Sequence, residues 1–159
     1  MVKKTLASVA EELKIIAKTL GYPANPGNTG KHTSLMAIEE TGANLDDFWQ
    51  QYLALMALID GFSIDGFSIY GLRSYRNEHN NFFEYNNGAS RTNEPNTKES
   101  ASLLLIGSTG TDLFVYDMSS ERWEARDRIA IDEAYESYAS LAELIESITL
   151  RIKNANQLE

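Results

Sequence analysis

The chain has 159 residues, 43% of them hydrophobic and 23% charged, which fits one globular domain over 1–159 and excludes a disordered or low-complexity chain. It has no cysteine, so disulfides, zinc–thiolate sites, iron–sulfur clusters and thiol nucleophiles are all excluded. A net charge of −9 disfavours nucleic acid and favours basic partners, and the sequence shows neither a membrane-spanning apolar run nor a signal-peptide pattern, so a soluble, cytoplasmic chain is expected.

From Thr5 to Leu20 the apolar residues Leu6, Val9, Leu13, Ile16 and Leu20 recur at spacings of three and four, which predicts an amphipathic helix. Thr5 or Ser8 caps it, Ser8 and Glu11 having capping-box spacing, and Gly21 and Pro23 end it. Residues 21–33 (GYPANPGNTGKHT) read as a loop, and a short helical stretch is expected over Ser34 to Glu40. Asn44 is placed to cap a further helix running to about Leu58, with Asp46 and Asp47 in its first turn. Its buried stripe is predicted as Leu45, Phe48, Trp49, Tyr52, Leu53, Met56 and Ile59.

A near-repeat follows, Gly61 to Asp65 and then Gly66 to Gly71, and Asp65 with Gly66 between apolar runs signals a hairpin. The asparagine-rich segment from Arg73 to Ser100 is the least legible. Phe82, Phe83 and Tyr85 suit a short helix or a strand, and Arg91 to Lys98 reads as an exposed loop. Ser102 to Ile106 is a continuous apolar run, as in a buried strand. A turn over Gly107 to Gly110, a strand over Asp112 to Asp117, a turn at Met118 to Ser120 and a roughly alternating stretch from Arg122 to Ile131 follow. Turns this short require antiparallel pairing. Ser140 and Glu143 form a capping box before a last helix whose inner face is Leu141, Leu144, Ile145, Ile148 and Ile152, with Arg151 and Lys153 towards its end. Helices, then strands, then a helix is the α+β pattern.

No catalytic or metal-binding constellation assembles along this order. His32 and His79 are far apart and read as loop histidines. Residues 27–32 (GNTGKH) superficially resemble a phosphate loop, but Asn25 stands where the first glycine belongs and His32 where Ser or Thr belongs. Residues 107–110 (GSTG) precede no helix, so the dinucleotide reading fails. Asp60 and Asp65 have a turn explanation and Asp46 and Asp47 a capping one. Between Lys31 and Arg73 there is no Lys or Arg, while Glu39, Glu40, Asp46, Asp47, Asp60 and Asp65 fall there. This points to protein binding rather than catalysis, with no cofactor.

Several short motifs occur in a recognisable order. They are Leu58 to Phe62, Gly66 to Leu72, the strand ending at Leu105, Ile106 and Gly107, the run Gly110 to Asp117, and the capped helix from Ser140. In these the chain resembles the SUKH superfamily, especially its YrhA-like branch, with Asp60 where the common version has Asn. The resemblance implies a strongly curved antiparallel sheet with helices packed around it. It also implies a bacterial immunity protein that binds and neutralises a toxin domain, often a basic nuclease. The alternative it carries is a non-enzymatic adaptor or regulatory scaffold of the same fold. No catalytic residue carries over. Gly61, Gly107 and Asp112 are motif positions with structural roles expected, Gly107 closing a strand and Asp112 bonding turn amides. On physical grounds the candidate partner contacts are Asp46, Asp47, Asp60 and Asp65, with Trp123 as an aromatic anchor if it is not core.

Overall fold

The computed structural model describes residues 3–29, 45–75, 81–86 and 102–158. The helical stretch expected over Ser34 to Glu40, the Asn44 cap, His32, His79 and the loop from Arg91 to Lys98 lie outside the described residues. The first helix, α1, is Leu6–Leu20. Thr5 caps it: the Thr5 hydroxyl accepts from the Ser8 amide, and the Ser8 hydroxyl accepts from the Thr5 amide, both at 3.1 Å. The box is therefore Thr5 with Ser8, not Ser8 with Glu11, because the helix starts one turn before that spacing suggests. Gly21 ends it in the left-handed region. Helix α2 is Asp46–Leu58; Leu45 stands at its N-cap and gives no side-chain bond. Its buried stripe is Phe48, Trp49, Tyr52, Leu55 and Met56. Leu55 takes the place expected of Leu53, which lies at the edge of the stripe and is only partly buried.

Strands β1 (Phe62–Ile64) and β2 (Phe67–Ile69) form the expected hairpin. Asp65 and Gly66 both adopt positive φ, 51° and 82°, which matches the turn to the right-handed twist of the strands. A short helix, α3 (Phe82–Asn86), precedes β3 (Leu103–Ser108), β4 (Asp112–Asp117), β5 (Arg122–Asp127) and β6 (Ala134–Tyr138). Helix α4 is Leu141–Ala155, with both bonds of the Ser140–Glu143 capping box present and the expected inner face buried. The fold is α+β: one curved, six-stranded antiparallel sheet in the order β1-β2-β3-β4-β5-β6, with helices against it.

Strand β6 lies beyond the last strand expected from the sequence, which ended at Ile131. Its half-buried, half-exposed alternation gives no apolar run to read. Ile129, expected as an apolar member of the preceding strand, is 94% exposed, whereas Glu124 and Arg126 are buried. The Arg126 guanidinium explains the inversion. It donates to Glu124 at 2.7 and 3.0 Å and to the Ile131 carbonyl at 2.8 Å, and it lies 3.4 Å from Asp117. A buried ion set of this kind is tolerated because nearly every donor is met.

Three features hold the elements together. Aromatic rings from α2, α3, β4 and β5 form one cluster: Phe48 stacks on Trp123 at 5.3 Å and on Phe82 at 5.7 Å, and meets Tyr116 at 5.1 Å. Fully burying side chains of this size is worth about 1.5–3 kcal/mol each. Between α1 and α4, Glu12 bonds Lys153 at 2.9 Å, and Lys4 reaches both Glu12 and Glu146. Thirdly, the sheet curls around α4. The Arg151 guanidinium lies over the Phe67 ring of β2 at 5.1 Å, donates to Asp112 of β4 at 3.1 Å and lies 3.4 Å from the Tyr135 hydroxyl of β6. In a flat sheet β2 and β6 would stand about 19 Å apart, four strand spacings, so one side chain meets all three only because the strands bend towards it.

The β2–β3 seam is a close backbone approach. Ile69 pairs with Gly107 and Ser68 with Ser108. A Cβ on Gly107 would overlap the Ser68 carbonyl oxygen and come within 2.8 Å of the Ile69 side chain. Gly107 thus lies inside β3, beside a register shift, rather than closing the strand. Beyond the end of β2, Asn86 takes over the pairing: its side-chain amide donates to the Leu105 carbonyl and accepts from the Leu105 amide, both at 2.8 Å.

Candidate functional site

A cleft of about 260 Å³ opens where the 25–28 loop, the β1–β2 hairpin and α3 meet. Asp60 lies at its base with no solvent exposure. One of its oxygens accepts from the Leu72 amide at 2.6 Å. The other accepts from the Tyr75 hydroxyl at 2.6 Å and the Asn28 amide at 3.1 Å, and Arg73 stands 3.7 Å away. The Asn25 amide donates to the Asp60 and Gly61 carbonyls. This carboxylate is a staple joining three stretches of chain. Burial, together with the hydrogen bond to Asp60 and its charge, pushes the Tyr75 phenol up to about 12, so it stays protonated at neutral pH. Higher in the cleft Tyr70 and Tyr85 stack at 3.9 Å, and the Tyr70 hydroxyl donates to Ser108.

Asp60 is therefore corrected from partner contact to internal anchor, and the same holds for Trp123. The Trp123 ring is completely buried against Phe48 and Tyr116, so it cannot reach a docked protein. Gly61 keeps a structural place: its φ is +75°, and its Cα backs onto Gly71 so closely that a Cβ would overlap the Gly71 amide nitrogen. Asp112 does not bond turn amides through its side chain. It accepts from Tyr135 at 2.8 Å and Arg151 at 3.1 Å, tying β4 to β6 and α4.

The other three acids are exposed and are not brought together with the cleft. Asp46 and Asp47 stand at the start of α2, Asp47 accepting from Gln51 at 2.9 Å. Asp65 occupies the tip of the β1–β2 hairpin, where Asn156 donates to it at 2.8 Å. Sequence reasoning missed Asn25, Asn28 and Tyr75 as partners of Asp60, and Tyr135 and Arg151 as partners of Asp112. Each pair is distant in sequence or joined by no motif, so no local signal marks them.

No helix among the described residues is long and apolar enough to cross a membrane. No protein-family model matches the chain, and comparison with curated proteins finds no match.

Proposed function

We propose that the chain is an immunity-type protein, of the SUKH kind that its motifs resemble, which acts in the bacterial cytoplasm by binding a basic toxin domain and blocking it. The observation that carries this reading is how the charges are disposed. Most described cations are engaged by the protein's own acceptors. Lys3, Lys4, Lys14, Arg73, Arg126, Arg151 and Lys153 are in ion pairs, and Arg122 and Arg128 bond to Ser137 and to the Thr109 carbonyl. Asp46, Asp47, Asp65, Glu121, Asp132 and Glu133 are exposed acids, more numerous among the described residues than exposed cations facing outward without an ion pair or hydrogen bond to the protein. Such a surface attracts a basic protein and raises its association rate.

The test is co-expression with a toxin domain from an adjacent gene, combined with stopped-flow binding kinetics on the purified pair. Protection of the cells and a complex whose association rate falls about tenfold or more with added salt are expected. A toxin domain that neither binds nor is neutralised would end this reading.

A further inference from the structure

The connection between β5 and β6 is built unlike an ordinary surface turn. In the register, Ala125 pairs with Glu136 and Arg126 with Ala134, so Tyr135 is the extra residue of a bulge. A bulge bends its strand and re-aims a side chain. Tyr135 is 50% exposed, yet its hydroxyl is held by Asp112 at 2.8 Å, with Arg151 3.4 Å away. An exposed aromatic ring already fixed in place loses little freedom when it docks.

The turn itself is tied down around one outward apolar side chain. The Asp127 carboxylate accepts from the amides of Ile129 and Ala130 at 2.7 and 3.1 Å. Arg128 donates to the Thr109 carbonyl, Arg126 donates to the Ile131 carbonyl, and the Ile131 side chain is buried. Both arginines of the hairpin end are thereby spent inward. Ile129 remains outside, and the exposed acids Asp132 and Glu133 follow on the same connection. The partner that complements this arrangement has a shallow apolar recess rimmed by lysine or arginine.

We propose that the β5–β6 hairpin end is the docking surface for a basic protein, with Ile129 and Tyr135 as anchors and Asp132 and Glu133 as the charged rim. The proposal rests on the reading of the chain as a toxin-binding protein and names the face it uses. Anchoring aromatic and aliphatic side chains carry most of the affinity of such interfaces, and rim charges carry the association rate.

The experiment titrates that toxin domain into the wild-type chain and five variants and follows association by stopped flow. Ile129→Ala should weaken binding about tenfold and Ile129→Ala with Tyr135→Ala about a hundredfold. Tyr135→Phe, which keeps the ring, should stay within about threefold of wild type, separating lost contact from lost folding. Asp132→Asn with Glu133→Gln should slow association and flatten its salt dependence. An Asp46→Asn, Asp47→Asn pair serves as the control face. If the toxin domain binds wild type and only the control pair weakens it, the docking surface is overturned while the function stands. If the toxin domain does not bind wild type, both fall. If wild type instead sediments as a dimer that Ile129→Ala dissolves, the occupant is a second copy and the proposal is overturned.

Discussion

A carboxylate buried without solvent contact survives only where donors meet its oxygens, and Asp60 has them from Leu72, Tyr75 and Asn28. Replacing it by Ala removes the buried acceptor of the Leu72 and Asn28 amides. Hydrogen bonds to a charged group are worth about 1.5–3 kcal/mol each, and the losses overlap, so Asp60→Ala should cost about 3 kcal/mol in urea unfolding. Arg73→Ala tests the same neighbourhood from outside. Its side chain is 62% exposed, solvent screens the pair, and a loss below about 0.5 kcal/mol is expected. Equal losses for the two variants would contradict the staple assigned to Asp60.

Strand β2 stops short of β3's full length, and α3 completes the edge through one side chain. Asn86→Ala removes both bonds to Leu105 and leaves a peptide group of β3 unpaired, which should lower stability by about 2 kcal/mol. Amide exchange at Leu105 should quicken with it, and unchanged exchange would disprove the pairing. Elements of this kind mark the limit of what the sequence shows. Helices α1 and α4 are legible because their apolar stripes are local, as is the α4 capping box, and the Asp65–Gly66 turn and β4 carry their signals within a few residues. Strand β6 was hidden by having no apolar face to alternate. The inversion of Ile129 and Arg126 was hidden because Arg126's partners come from three separate places in the chain. The site was less legible than the fold. Asp46, Asp47 and Asp65 are on the surface as read, whereas Asp60 and Trp123 are interior for reasons of tertiary packing that spacing does not encode.

The whole molecule carries a predictable response to acid. The Lys153 ammonium, helped by Lys4 and opposed by burial, holds Glu12 below its ordinary 4.5. Burial opposes the shift at Glu143 and Asp117, but Lys3 and Ser140 at the first, and Ser119 at the second, hold them low. A carboxyl with a folded pKa below its unfolded one stabilises fully above the unfolded value and loses that contribution as pH falls through the folded one. Stability should therefore fall from about pH 5 downward. The melting-temperature gap between wild type and Glu12→Gln should be present at neutral pH and close as pH falls below the ordinary 4.5 of Glu12; a constant gap would remove Glu12 from the account. The seam at Gly107 has a consequence in time. Every strand pair except β2–β3 joins chain neighbours through a short connection, and this one must close across residues 70–102. Long closures cost chain entropy before their contacts reward it. The β3–β6 meander is therefore expected to assemble early and the β1–β2 hairpin to dock after the rate-limiting barrier. Gly107→Ala, which obstructs that docking, should then raise the unfolding rate while leaving the refolding rate nearly unchanged, an outcome stopped-flow chevrons would read directly.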